Sequence, residues 1–313
     1  MTPREKYGLI VFLAAVAAVY IFAFGGLVRL LLEKSGVLKT APSILQIRFR
    51  RLFFALALFG LACFAYAYFV EPYWLDVRRV EIKSAKIPAG KRLRVVHISD
   101  LHSDPAARLE EKLPSAIAAE KPDLIVYTGD SVNSPEGLPV FRKCLTELAR
   151  VAPVYVVKGN WDVWFWKNLD LFGATGAREL NGAAERLEIG GVPVWLAGAF
   201  VGSENKLTET LSKIPKNEFS LFLFHYPDLI EQASAAEMDL YCAGHTHGGQ
   251  VAMPFYGALV TFSKFGKKYE GGTYEVGKTR LNVNRGIGME GGNAPRVRFC
   301  ARPEITVIDI MPE

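Results

Sequence analysis

Five short polar clusters hold most of the side chains that could do chemistry together in this 313-residue chain. They are Asp100-Leu101-His102, Gly129-Asp130, Gly159-Asn160-Trp161-Asp162, His225-Tyr226-Pro227-Asp228 and Gly244-His245-Thr246-His247-Gly248-Gly249-Gln250. Four of the five histidines in the chain fall inside them. Two aspartates, an asparagine and several imidazoles offer the mixed oxygen and nitrogen donors that suit manganese, iron or zinc. Magnesium or calcium would be satisfied by oxygen ligands alone. The fifth histidine, His97, shares one strand face with Val95 and Ser99, while Val96, Ile98 and Asp100 share the other. It reads as a hydrogen-bonded core or supporting residue. Taken singly the clusters are weak signals, since Gly-Asp is common at turns and Asp-x-His arises by chance.

Their positions along the chain add force. Each cluster follows a short, apolar, β-rich run: 92–99 (RLRVVHIS), 123–128 (DLIVYT), 154–158 (VYVVK), 219–224 (FSLFLF) and 240–243. Helical spacing at 109–120 and 138–151 separates the first three. Further on, 186–199 with Gly190-Gly191 at its centre, 272–284 and 297–311 read as strands joined by turns. The alternation predicts a layered α/β domain. Ligands of such sheets bind beyond the carboxyl ends of the strands, so all five clusters are expected to converge on one site.

The ordered set of clusters resembles the calcineurin-like metallophosphoesterase superfamily over 95–250. GHTHGGQ, together with Asn284-Arg285-Gly286-Ile287-Gly288 and Arg302-Pro303-Glu304-Ile305, is similar to its membrane-associated or exported bacterial branch. The resemblance implies a four-layer α/β/β/α sandwich and two divalent metal ions. One would be held by Asp100, His102 and His247, the other by Asn160, His225 and His245, with Asp130 bridging. It also implies hydrolysis of a phosphoester or pyrophosphate by metal-activated hydroxide, with no covalent enzyme intermediate. Asp162 and Asp228 are expected to orient the ligands from behind, as metal-bound groups require. Arg285 is a candidate phosphate clamp through its guanidinium fork.

One position departs from that pattern. Most of the family reads Gly-Asn-His in the third cluster, and that histidine is thought to bind phosphate and protonate the leaving oxygen; here Trp161 stands in its place. An indole N–H donates a hydrogen bond but transfers no proton at neutral pH. General-acid help is typically worth about 10²–10⁴-fold, a loss felt most with alkoxide leaving groups. The expectation therefore moves toward pyrophosphates or activated esters, and the UDP-diacylglucosamine pyrophosphatases of lipid A synthesis also lack this histidine. Trp161, Trp164, Phe165, Trp166 and Phe172 have the spacing of a helix packed on the core; read functionally, they form an apolar lip for acyl chains.

Ahead of this domain, 51 of the first 76 residues are apolar. The runs 8–28 and 52–70 carry no charge, long enough at 1.5 Å per residue to cross a bilayer. A cleaved signal peptide would show one shorter run. The expected organisation is a transmembrane hairpin over 1–76, with spans of about 8–32 and 52–70, followed by a phosphoesterase domain over 77–313. Those first 76 residues hold 8 Lys/Arg and 4 Asp/Glu, against 29 and 28 in the remainder, so +4 of the net +5 belongs to the hairpin. The near-neutral domain speaks against nucleic acid as a partner. Arg29, Lys34, Lys39, Arg48, Arg50 and Arg51 crowd the connecting loop, whereas the second span exits through Glu71, Tyr73 and Trp74. Basic residues close to span ends favour the cytoplasmic side, so the catalytic domain is expected outside the cytoplasm; the lipid A alternative would place it inside. The four cysteines show no CxxC spacing and read as small core residues. The expected partners are the bilayer and a phosphorylated, lipid-linked substrate. The competing expectations are a broad phosphodiesterase acting on soluble substrates and a non-catalytic metal- or phosphate-binding module.

Overall fold

A computed structural model of the chain describes residues 1–292 and 295–313, with Lys206 described through its backbone only. Two long helices come first, α1 (Pro3–Lys34) and α2 (Ile44–Phe69). Each opens on a reciprocal capping box, Thr2 with Glu5 and Ser43 with Gln46, which satisfies two otherwise orphaned N–H groups per helix end. The caps explain why both helices start before the uncharged runs do. Tyr20 reaches the Ala57 carbonyl and Phe22 packs on Phe49 and Phe53, which sets the two helices antiparallel. Most of their apolar side chains remain exposed.

The chain continues through β1 (Asp76–Lys83), β2 (Leu93–Ile98), α3 (Leu113–Glu120), β3 (Leu124–Tyr127), α4 (Leu138–Ala149), β4 (Val154–Val156), α5 (Asn160–Trp164) and β5 (Arg178–Glu179). Next come β6 (Ala183–Ile189), β7 (Val192–Gly198), α6 (Leu207–Ser212), β8 (Phe219–Leu223), α7 (Ile230–Ala235), β9 (Leu240–Ala243), β10 (Ala252–Met253) and β11 (Gly257–Ala258). The last three strands are β12 (Gly272–Val276), β13 (Thr279–Val283) and β14 (Glu304–Met311). One six-stranded sheet has the order β1-β14-β2-β3-β4-β5 and the other β12-β13-β9-β8-β7-β6.

Strand alternation sorts the core into three layers. Val96, Ile98, Ile125 and Tyr127 face α3 and α4, where Leu113, Ile117, Phe141 and Leu145 cover them. Their neighbours Val95, Leu93, Leu124 and Val126 point the other way, into the seam between sheets, and meet Leu221, Leu223, Leu240 and Cys242. On the far face Phe222, Tyr241, Leu281 and Val283 pack beneath α6 and α7. The result is an α/β/β/α sandwich.

The five expected strands ahead of the polar clusters are present as β2, β3, β4, β8 and β9, and 186–199 and 272–284 each fold into a hairpin. The expected strand at 297–311 is real only from Glu304. Residues 297–303 are instead held by the wholly buried Arg298, which donates to the carbonyls of Gly288, Arg285 and Ala301. Strand β1 had no alternating signal strong enough to stand out, and it is fixed from outside by parallel pairing with β14.

Two buried carboxylates join the helices to the sandwich. Glu5 accepts from the Thr261 N–H at 2.8 Å and hydroxyl at 2.7 Å. Glu71, in the acidic and aromatic flank through which the second helix exits, is buried and accepts from the N–H groups of Cys300 and Ala301. Removing a buried acceptor exposes its donors to the full cost of desolvation without a partner. Glu71→Ala should therefore destabilise the folded chain by about 2–4 kcal/mol, seen as a lower unfolding temperature in detergent. An unchanged midpoint would mean that water replaces the carboxylate at no cost.

Candidate metal centre

The parallel neighbours β2, β3 and β4 end side by side, and so do β8 and β9 in the other sheet. Their carboxyl ends carry the five clusters. Backbone bonds lock adjacent loops together: Asp100 N–H donates to Gly129 O, His102 N–H to Asp130 O and Gly244 N–H to His225 O. These turns are too tight for side chains at Gly159 and Gly244. A Cβ on Gly159 would collide with the Asp130 carboxylate, and one on Gly244 with Ser99 and Asp100.

Five of the seven expected ligands, Asp100, His102, Asp130, His245 and His247, sit at positive φ. Non-glycine residues adopt that conformation at an energetic cost, which recurs where function dictates geometry. The ligand atoms of Asp100, His102 and His247 lie within 4.8 Å of one another, as do those of Asp130, His225 and His245. Asp130 joins the two groups, because its Oδ2 lies 3.2 Å from His225 Nε2 and 3.6 Å from His102 Nε2. Its Oδ1 is fixed by the Trp161 N–H at 2.8 Å. On the other side, Asp100 Oδ1 is 3.3 Å from His247 Nε2.

The second nitrogens of two rings show how the site is aimed. His225 Nδ1 is bound to the Thr128 carbonyl at 2.7 Å, so it carries the hydrogen and turns Nε2 inward. Asn133 does the same for His102, with Oδ1 3.1 Å from Nδ1 while its amide donates to the His102 and Met289 carbonyls. Inside the cluster, His102 Nε2, His225 Nε2 and Asn160 Oδ1 are buried without a hydrogen-bond partner. Such atoms cost about 1–3 kcal/mol each if left unsatisfied. All three belong to the expected ligand set, and cations are what would satisfy a carboxamide oxygen and imidazole lone pairs together.

Electrostatics give the same answer. Burial holds His102 and His245 neutral, pulling them to about 4 and about 3. Burial also opposes charge on His225, yet Asp130 and then Asp100 overcome it and push this imidazole up to about 9. The carboxylates therefore demand positive charge in their midst. Asp162 is raised to about 6 by burial and by the neighbouring Asp130, against the pull of its backbone donors. The donor set thus fits two divalent ions.

The supporting residues differ in part from expectation. Asp162 does brace the site, but through backbone: it accepts from Gly159, Asp130 and Ser131 N–H groups and touches no imidazole. Asp228 binds Ser263 and the Lys264 N–H and orients no ligand, because its short side chain turns away toward 263–264. Arg285 is not brought to the cluster as a clamp, since its guanidinium is committed to Glu304 at 2.6 Å and Asp76 at 2.7 Å. His97 lies in the core between Thr128 and Asn282, as expected. The aromatic group divides: Trp166 and Phe172 pack inward, while Trp164 and Phe165 are 61% and 58% exposed. Sequence reasoning missed Asn133 and Arg298. Asn133 left a trace, three residues after Asp130; Arg298 acts on His247 across 51 residues of sequence.

The calcineurin-like phosphoesterase family profile matches residues 93–249. Metallophosphoesterase YkuE of Bacillus subtilis is 32% identical over 73% of this chain and 82% of its own. Phosphodiesterase YaeI of Escherichia coli is 27% identical over 70% of this chain and 82% of its own. At 25%, the UDP-2,3-diacylglucosamine pyrophosphatase LpxG of Chlamydia trachomatis aligns with 71% of this chain and 84% of its own. Strand ends, donor set and sequence likeness converge on one conclusion: the chain belongs to the calcineurin-like phosphoesterases, metal-dependent hydrolases of phosphoester bonds.

Proposed function

We propose that this chain is a membrane-anchored hydrolase that cleaves a phosphoester or pyrophosphate bond in a lipid-linked substrate. The observation that carries the reading is the pair of ligand groups joined through Asp130, with three buried donor atoms left unsatisfied. In this reading Asp100, His102 and His247 hold one cation, Asn160, His225 and His245 the other, and Asp130 both. Divalent ions bound there supply charge for the phosphoryl oxygens and lower the pKa of water. The protein's share is orientation: Thr128 and Asn133 fix two ring tautomers, and Asp162 fixes the Asp130 loop.

Three features support a lipid-linked substrate. Helices α1 and α2 have the length and apolar composition of spans, at mean hydropathies of 2.5 and 2.1, and their apolar faces are free for lipid. Tyr73, Trp74, Phe255, Tyr256 and Phe262 are exposed, and Tyr256 sits beside Gly8 on α1, the arrangement of an interfacial aromatic belt. Trp164 and Phe165 add an exposed apolar lip four and five residues after Asn160. The hairpin over 1–76 is then the anchor and 77–313 the catalytic unit, facing away from the cytoplasm by the loop charges. A reporter fused after Glu313 and active on the cytoplasmic side would reverse that orientation. The pyrophosphatase alternative draws on the likeness to LpxG and on Trp161.

With manganese, the purified chain should hydrolyse bis-p-nitrophenyl phosphate and release the headgroup or nucleotide of an extracted lipid substrate. Two bound metals with no turnover of any phosphate ester would identify a binding module instead. The lip gives a separate prediction. Trp164→Ala with Phe165→Ala should raise KM for a vesicle-borne substrate by about five- to tenfold, the worth of roughly 1–1.4 kcal/mol of apolar burial. It should leave the soluble aryl diester alone. Equal effects on both would assign these rings to folding.

A further inference from the structure

The first turn of α1 and the segment 256–268 enclose a cavity of about 480 Å³, and none of the seven metal-site residues lines it. Its charged lining is Arg4, Lys264, Lys267 and Lys268 against a single acid, Glu5. That acid is already saturated. One oxygen takes the Thr261 N–H and hydroxyl, the other takes the Thr2 N–H at 2.7 Å and hydroxyl at 3.1 Å, and the side chain is buried. Lys267 is committed too, to Glu270 at 3.2 Å and to the Ala258 carbonyl at 2.9 Å. The other three cations are not. Lys264 reaches only Glu231, at 3.7 Å and largely in solvent. Lys268 lies over the Phe265 and Tyr269 rings, and neither it nor Arg4 has a carboxylate partner among the described residues. Like charges gathered round one cavity repel one another, and an anion between them relieves the repulsion.

Position selects the anion. Tyr256, which also lines the cavity, holds its hydroxyl 3.6 Å from where a Cβ on Gly8 would stand, and Gly8 opens the uncharged run of α1. The cavity therefore sits where the polar first turn passes into apolar helix. The end of α2 arrives on the same side, since Ala67 O accepts from the Arg298 N–H at 3.0 Å and Glu71 from Cys300 and Ala301. With the hairpin in a bilayer, that boundary is the headgroup layer facing the catalytic unit. Phe255 and Phe262, neighbours of the lining residues in sequence, are exposed at φ of 64° and 57°, a conformation that bulky side chains avoid. Holding two phenyl rings outward costs backbone strain as well as hydration. Acyl chains would take up both rings, whereas a free phosphate ion would leave them in water.

We propose that this cavity binds the phosphate headgroup of an anionic phospholipid, with Arg4, Lys264 and Lys268 on the phosphate and Phe255 and Phe262 among the acyl chains. The inference rests on the membrane-anchored reading above and goes beyond it, because a lipid held here is a fixed ligand of the anchor and not the substrate. The Arg4 guanidinium can engage two phosphate oxygens as a fork, and the two ammonium groups act as point charges. A zwitterionic choline headgroup would bring its own cation against the same lysines. The site also lies behind the metal centre's support: the Thr246 hydroxyl donates to Glu270 O at 2.9 Å, and Ala258 leaves no space for a side chain on Gly249. A bound lipid thus braces the segment on which the loop carrying His245 and His247 is packed.

The test titrates the full chain in maltoside detergent with dioctanoyl phosphatidylglycerol, dioctanoyl phosphatidylcholine and inorganic phosphate, following binding by thermophoresis. At about fivefold per basic side chain, three such groups should make phosphatidylglycerol the better ligand by about 10²-fold over phosphatidylcholine. Arg4→Gln with Lys268→Gln should weaken phosphatidylglycerol binding by about 25-fold, with circular dichroism and metal content unchanged. Arg48→Gln with Arg51→Gln removes the same charge at the other end of the hairpin and should leave that affinity in place. No preference for phosphatidylglycerol, equal losses in the two double variants, or inorganic phosphate binding as tightly as the lipid would each overturn the proposal. Flotation with phosphatidylcholine vesicles separates this from the reading beneath it. A chain that floats but shows no preference keeps its anchor and loses the lipid site, while one that does not float fails the membrane-anchored reading first.

Discussion

Asp130→Ala is expected to reduce hydrolysis of an activated phosphodiester by about 10³-fold or more, the equivalent of at least ~4 kcal/mol of transition-state stabilisation. This carboxylate touches both halves of the centre, through His225 Nε2 and His102 Nε2. It is 2% exposed, so no solvent stands ready to take its place. Its loss also removes the larger of the two carboxylate charges that push His225 up against burial, leaving Asp100 alone to favour positive charge beside that ring. Metal content measured by plasma emission should fall from about two ions per chain to one or none, with the fold kept by circular dichroism. Asp130→Asn retains shape and one oxygen and should recover part of the metal but little of the rate, because a neutral amide bridges two cations poorly. Retained turnover within tenfold of wild type, with both metals bound, would remove Asp130 from the centre and with it the joined pair of sites.

What the sequence disclosed depended on how local each signal was. Strands β2, β3, β4, β8 and β9 were legible because their apolar runs are short and each is followed within a few residues by a polar cluster. The clusters were legible because each is a contiguous word. Strand β1 was hidden, since its partner β14 lies more than two hundred residues away and supplies the pairing. Sequence separation also hid Arg298, whose guanidinium reaches His247 Nδ1 across 51 residues while 287–288 pair with the backbone of Ser99 and Asp100. Side chains whose partner could not be read were placed wrongly. Arg285 in an Asn-Arg-Gly-Ile-Gly turn suggests a free guanidinium, and nothing local reveals that Glu304 and Asp76 both engage it. Asp228 follows the same logic, its Ser263 partner lying 35 residues on.

Asp162 shows how far the centre depends on a residue that need not touch a metal. Its two oxygens accept three N–H groups, from Gly159 at 3.0 Å, Asp130 at 2.9 Å and Ser131 at 2.8 Å, and it is wholly buried. It thereby ties the loop after β4 to the loop after β3, across the place where Gly159 leaves no space for a side chain. Asp162→Ala should cost about 3–5 kcal/mol, less than three full penalties because a cavity of that polarity will admit water. For a chain of this size the melting temperature should fall by roughly 10 °C. The activity loss should exceed what the unfolded fraction explains, since Asp130 held at positive φ without its anchor relaxes away from His225 and His102. Asp162→Asn separates the two effects. Its single acceptor oxygen can serve one or two of the three donors while its amide faces the third, so stability should recover only partly and metal affinity should track that recovery. If Asp162→Ala melts like the wild type and binds two metals, the loops after β3 and β4 are held by their own backbone bonds, and the carboxylate's three contacts are incidental to the geometry of the centre.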